Sequence, residues 1–278
     1  MKKRARRFRP SVPAYIVASL MIVLYGSPLA FLLLGSGQTA GTLPSVSPAS
    51  ITDYSLSNYV DYFVVYGNGP SLWNSAVIAL GATTLIMAFG LPAAYWLSRL
   101  SPFASSALLI IVVFLQMLPQ AAVIIPLYRV LALWGLIGNR WGVIIALAGS
   151  LLPWALLLLG PYFRSIPREL NEASAVDGAG GLRQFWSIIL PLTRNGAITI
   201  GLLTFMVTWG DFVYSINLLT KSALYPASAS IVGYVNAYSV DWPGLMAASV
   251  ITAIPILIVF LIFQRRLTEG LSAGSVKG

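Results

Sequence analysis

The sequence predicts an all-α integral membrane fold of six transmembrane helices, and three observations carry that prediction. The first is composition: 58% of the 278 residues are hydrophobic and only 9% are charged, against about 25% charged in a soluble domain. Too little polar surface remains to cover such a chain in water, so hydrocarbon is its natural solvent. The second is segmentation. Six stretches reach the roughly 20 mostly apolar residues that a spanning helix needs: 13–34, 73–97, 105–128, 141–163, 196–218 and 243–263. The third is the distribution of charge. With the N-terminus inside, 14 of the 17 Lys and Arg fall on the cytoplasmic side, and only Arg129, Arg140 and Lys221 fall outside. This is a strong positive-inside bias, and an even number of spans then places both termini in the cytoplasm.

The first span follows Lys2, Lys3, Arg4, Arg6, Arg7 and Arg9, as a signal peptide would. Its apolar stretch from Val12 to Gly35 is longer than a signal core and no convincing small-residue cleavage site follows, so it reads as a retained helix. Three regions result: a basic N-terminus 1–12, a membrane domain 13–263 and a cytoplasmic tail 264–278. The outer segments carry Tyr54, Tyr59, Tyr62, Tyr225, Tyr234, Tyr238 and Trp242, which suit either interfacial anchoring or contact with an external partner.

There is no Cys and no His, which removes disulfides, thiolate metal sites and the usual acid–base residue near neutral pH. Of the eight acidic residues only Asp211 lies within a predicted span, so no carboxylate pair for catalysis is evident there. No G-x-x-x-x-G-K-[ST] phosphate loop is present either. A membrane-embedded enzyme is therefore poorly supported. A metal site is not expected, nor is binding of nucleic acid, since the net charge of +9 follows membrane topology.

In the fifth span Thr204, Thr208, Asp211 and Ser215 recur at i, i+4, i+7 and i+11, one stripe on a continuous helix. Asp211 would lie about 22 Å into a core about 30 Å thick. A carboxylate facing lipid there is costly. Asp211 thus faces either a water-filled path or a neighbouring helix, for instance Gly244, Ala248 and Thr252 of the sixth span. Trp209, beside the stripe, suits stacking on a solute ring or packing between helices.

One cytoplasmic loop stands out, residues 164–195. Pro167 suits a helix start, Leu170, Ala173 and Val176 recur by three, and Gly178, Gly180 and Gly181 break the chain. Leu182, Phe185, Trp186 and Ile189 then share a helical face until Pro191 ends the segment. From pattern alone the pair of short helices is either an amphipathic hairpin lying on lipid or a knob for a partner.

The residues of this loop decide between them by resemblance. Glu172-Ala173-Ser174-Ala175-Val176-Asp177-Gly178-Ala179, followed by Ile188-Ile189-Leu190-Pro191-Leu192, resembles the EAA motif of ABC importer permeases. Phe163 to Pro167 resembles the lead-in to that motif. Asn58-Tyr59, Trp73-Asn74-Ser75, Trp209, Gln264 to Arg266, Gly270-Leu271 and Val276 to Gly278 are similar to the six-span, maltose-type carbohydrate-uptake branch. The chain departs from the pattern at Ser174, where Ala is usual, at Asn195, where Pro is usual, at Gly210, where Asn is usual, and in the low charge of the loop near Arg99.

The resemblance implies a type I ABC importer permease with a cytoplasmic coupling-helix hairpin in a bacterial or archaeal cytoplasmic membrane. It implies four kinds of partner: a second homologous permease, two copies of an ABC ATPase, an extracytoplasmic solute-binding protein and the bilayer. The chain itself would be non-catalytic and bind no cofactor, ATP and Mg residing on the ATPase. Glu172, Ala173, Ala175, Asp177, Gly178, Ala179, Leu190 and Pro191 would couple to the ATPase, with Phe185 and Trp186 packing the loop on the permease's own base. Thr208, Trp209, Asp211 and Ser215 would lie along the substrate pathway. The cargo implied is a sugar, a di- or oligosaccharide, with glycerol phosphate or another polar organic solute as the alternative. A stand-alone channel or scaffold would leave the patterned loop unexplained.

Overall fold

The computed structural model describes residues 12–39, 44, 54–176 and 178–275. Asp177, Asp53, Lys277 and the basic N-terminal cluster lie outside the described residues. The regular structure among the described residues is helical, apart from one isolated antiparallel bridge between Val235 and Val240. The chain divides into two compact units, residues 1–67 with 231–251, and residues 68–230 with 252–278.

The first unit holds α1 (Val12–Ser36), α2 (Ser57–Val64), the 3-10 turn Ile231–Tyr234 and the start of the last helix. α1 is apolar all round and almost entirely exposed, as expected of a helix whose solvent is lipid or another helix. Its C-terminal end is tied down by Asn58, whose Nδ2 donates to Ser36 O at 2.8 Å and to Gln38 O at 2.7 Å. Those carbonyls have no intrahelical partner, so the buried amide of Asn58 stabilises the helix end. Asp241 Oδ1 accepts from Gly244 N at 3.2 Å and caps the last helix. Its Oδ2 accepts from Tyr66 OH at 3.0 Å.

The second unit is built on α3 (Gly69–Arg99) and α6 (Arg140–Arg164), which pack along most of their length. Small buried residues lie along this pair, Ala79, Ala82, Gly90 and Ala94 on α3 and Ala146 and Ala155 on α6. In lipid there is no hydrophobic drive between helices, and close backbone approach supplies the attraction instead. A Cβ on Gly81 would come within 2.8 Å of Ile144 Cδ1. Two apolar clusters follow along the pair. One gathers Ile78, Leu131, Ile144, Tyr214 and Leu218. The other gathers Ile86, Tyr95, Leu159, Phe163 and Phe185 at the end that carries the patterned loop.

Among the described residues five helices are long and apolar enough to cross a membrane, and a bent pair brings the number to six if it is counted as one span. That pair corrects the expected uninterrupted third span. α4 (Pro102–Gln116) and α5 (Gln120–Leu133) meet at 93°. The break falls at Met117–Pro119 because Pro119 cannot donate and pushes Leu118 out of the helical region.

The fifth span differs in two ways. At its start, α8 (Gly181–Gln184), a π-helical segment Phe185–Ile189 and α9 (Leu190–Trp209) form one continuous helix. Pro191 was expected to end the short helix, and it does not. The π segment widens the turn ahead of it, with Leu190 N donating to Phe185 O, and so relieves the clash a proline ring makes with the preceding turn. At the far end the helix stops at Trp209, residues 210–212 are irregular, and α10 (Val213–Leu218) starts anew. α11 (Ala227–Ser230) follows, and α12 (Trp242–Ser275) runs past the expected end at 263 to Ser275.

Candidate coupling surface and translocation cavity

α7 (Arg168–Val176) is the helix of the EAA-like segment. It ends in a Schellman motif, with Ala179 N donating to Ser174 O and Gly178 N to Ala175 O, both at 3.0 Å. Gly178 sits at φ +77° with open space around its Cα. Only the backbone conformation, and not crowding, calls for glycine there.

The apolar residues of α7 point away from the chain. Val176 is 87% exposed, Leu170 42% exposed, and Ala173 and Ala175 are exposed too, whereas Ser174 is buried. This inverts the usual order for a helix lying on its own protein. Glu172 is also exposed. Ala179 and Leu190 are half-buried and Pro191 is exposed on the first turn of α9.

The inward side of α7 is held by a polar hub. Gln184 is buried; its Nε2 donates to Asn171 O at 2.8 Å and to Ser174 Oγ, and its Oε1 accepts from Tyr95 OH at 3.2 Å. With its amide oxygen turned toward Arg99, Asn171 accepts from the guanidinium at 3.0–3.2 Å. Arg99 in turn lies over the Tyr95 ring at 5.2 Å. Three rings, Tyr95, Phe163 and Phe185, close the hub beneath, with centroids 5.4–6.4 Å apart. The hub thus fixes α7 to the end of α3 and to α8 at the start of the fifth span. The departure at Ser174 has a role in it: Ala there would leave Gln184 without one of its acceptors.

Of the face expected from Leu182, Phe185, Trp186 and Ile189, Phe185 and Ile189 are buried while Leu182 is 70% and Trp186 60% exposed. The π segment changes the angular step between residues, so the α-helical spacing no longer gathers all four on one side. Trp186 therefore does not pack the base as expected; its ring touches Phe185 at 5.1 Å and borders an open cleft with Met87 and Pro92.

Both helix breaks line one cavity of about 600 Å3, bordered by Gln116, Gln120, Ser150, Asp211, Phe212 and Tyr214 among others. Gln116 Nε2 donates to Ser150 O at 3.0 Å, and Ser150 Oγ lies 2.6 Å from Tyr214 OH. Irregular backbone at membrane depth is tolerated where it lines a cavity or is buried in protein.

The predicted polar stripe does not survive as a path. Thr204 and Thr208 are buried, and their hydroxyls donate to carbonyls one turn back. Ser215 is buried as well, and Asp211 alone of the expected pathway residues borders the cavity. Its carboxylate caps α10, accepting from Tyr214 N at 3.3 Å, Ser215 N at 3.0 Å and Ser215 Oγ at 2.8 Å. That competition for N–H groups, together with helix-weak Gly210, is why the span breaks here. Trp209 is buried and donates to Thr252 O at 3.2 Å, a packing role. Gln116 and Gln120 were not foreseen, although two glutamines around a proline in an apolar run are the available sign of a broken span.

Residues 86–272 match the family described as binding-protein-dependent transport system inner membrane component. The chain belongs to that family. The permease is 30% identical over 276 residues, 98% of its length and 90% of the relative's, to the diacetylchitobiose uptake system permease protein NgcG of Streptomyces coelicolor. It is 29% identical over 266 residues, 95% of its length and 93% of the relative's, to the sulfoquinovosyl glycerol transport system permease protein SmoH of Agrobacterium fabrum. Its fold is that of a chain in the crystal structure of a bacterial ABC transporter involved in the import of the acidic polysaccharide alginate. There the TM-score is 0.71 at 21% identity, covering 92% of the permease and 98% of that chain. The permease is thus a multi-pass membrane protein of a transport family.

Proposed function

We propose that this permease is one of two homologous membrane subunits of an ATP-driven importer that carries a sugar, a di- or oligosaccharide, into the cytoplasm by alternating access. Both termini face the cytoplasm. Two copies of a separate ATPase bind and hydrolyse MgATP, and an extracytoplasmic binding protein delivers the solute. The observation that carries this reading is α7: a helix rigidly tied to two spans that turns its apolar residues outward, toward a partner. Glu172, Ala173, Ala175, Gly178 and Ala179, with Asp177 from the motif, form the docking side, and Leu190 and Pro191 lead its movement into the fifth span. Closure of the ATPase then shifts an element with two positions, which is how distant sites are coupled. The sugar class rests on the relatives named for diacetylchitobiose and sulfoquinovosyl glycerol. The cavity between the two helix breaks is this subunit's share of the path, with Gln116, Gln120, Asp211 and Tyr214 supplying hydrogen-bonding groups.

Val176→Asp tests this directly. Val176 is 87% exposed, so the variant should insert normally, lose ATPase on co-purification and lose uptake across a panel of labelled sugars. Undiminished ATPase capture together with undiminished uptake would sink the docking role, and a wild-type complex that moves no member of the panel would sink the sugar reading.

A further inference from the structure

A second cavity, of about 310 Å3, opens on the end of the molecule that carries α7, where α3 stops, α4 starts and α6 stops. Five of its eight lining residues are polar, Ser98, Arg99, Ser105, Ser106 and Arg164, and none is acidic. Two guanidinium groups from different helices therefore share one small polar space without a carboxylate on its wall. Both are held in place by their own chain. Arg164 Nη2 donates to the buried Ser105 Oγ at 3.0 Å, and Arg99 is fixed between the Tyr95 ring and Asn171. A guanidinium immobilised in advance loses less freedom when it binds an anion, and Arg164 keeps most of its N–H donors for a ligand.

We infer that this pocket binds the phosphate group of an anionic phospholipid. The fork of a guanidinium matches phosphate oxygens in pairs, and serine hydroxyls can donate to the rest. The surroundings select a lipid over a free anion. Leu100 is 40% exposed and Phe103 86% exposed beside the cavity, and farther along α4 Ile110 and Phe114 are 69% and 65% exposed. A headgroup in the pocket places its acyl chains against that apolar flank. The leaflet to which the lipid belongs follows from the orientation proposed above; its binding to the pocket does not. Because Arg99 also holds Asn171 of α7, an occupied pocket borders the element proposed to transmit ATPase closure.

The test uses the full chain in a non-ionic detergent, titrated with phosphatidylglycerol and separately with phosphatidylcholine, with retained lipid read by native mass spectrometry. Phosphatidylglycerol should be retained in preference. Arg164→Gln should lower that retention about fivefold, the loss expected for one basic group at an anionic surface. Ser106→Glu puts a carboxylate at the pocket without altering either guanidinium and should do the same, whereas Ser106→Gln should bind as the wild type. Equal retention of the two lipids overturns the inference. So does wild-type retention by Arg164→Gln and Ser106→Glu proteins that elute as the wild type does. Displacement of phosphatidylglycerol by millimolar inorganic phosphate would make the site one for free phosphate and overturn the lipid. Transport enters none of these readouts, so this result and the proposed function stand or fall separately.

Discussion

Two single residues carry unusual weight, and each gives a prediction. Gly178 occupies the left-handed position that ends α7, with nothing near its Cα. The penalty for a side chain there is conformational, about 1–2 kcal/mol, and it should follow backbone preference and not size. Gly178→Asn should retain most uptake, Gly178→Ala less, and Gly178→Val least, at equal membrane abundance. Uptake normalised to immunoblotted protein checks the order, and a ranking by side-chain volume would refute the turn as its cause. Asp211 accepts three hydrogen bonds at the start of α10. In Asp211→Asn an amide NH2 must face donors at one of the two carboxylate oxygen positions. The variant should lose about 1–3 kcal/mol, seen as a lower melting temperature of the purified protein. An unchanged melting temperature with an altered apparent affinity for solute would show instead that Asp211 serves the cavity first.

At the scale of elements, α7 and the start of the fifth span act as one body because Gln184 joins them. Its side chain reaches Asn171 and Ser174 on α7 and Tyr95 on α3. Gln184→Leu keeps the volume and removes every one of these bonds, leaving buried polar groups unpaired at about 1–3 kcal/mol. The expected outcome is faster proteolysis within residues 165–180 and loss of uptake, with the spans still inserted. Wild-type protection of that segment would show that apolar packing of Phe185 and Ile189 suffices to hold α7. The π segment ahead of Pro191 belongs to the same device. It lets a proline stand near the start of a long helix without a break, so the helix is continuous from Gly181 to Trp209.

For the whole molecule, the charge pattern and the spans give one topology. Reporter fusions at Gly69 and Lys221 should read outside and a fusion at Gly278 inside. An external signal at Gly278 would overturn the six-span arrangement. The bent pair α4–α5 makes this test informative, since a pair that entered and left on one side would reverse every later segment.

Hydrophobic length, positive-inside charge and the EAA-like segment determined that this is a helical membrane permease and where its EAA-like loop lies. These are properties of consecutive residues, and the bilayer acts on them locally. The helix start after Pro167 and the stop at Gly178 were legible for the same reason, because proline and glycine fix backbone geometry by themselves. What the sequence left open depends on which side chains meet. The Thr204–Ser215 stripe looked like a path because a continuous helix was assumed, and the carboxylate of Asp211, by capping α10, breaks that helix. Only the tertiary structure brought the break at Pro119 and the break at Gly210 to one cavity, and Gln184 to α7 and Tyr95. Polar groups inside a bilayer must find partners within the protein. Which partners they find is settled by packing across distant segments, and helical periodicity does not record it.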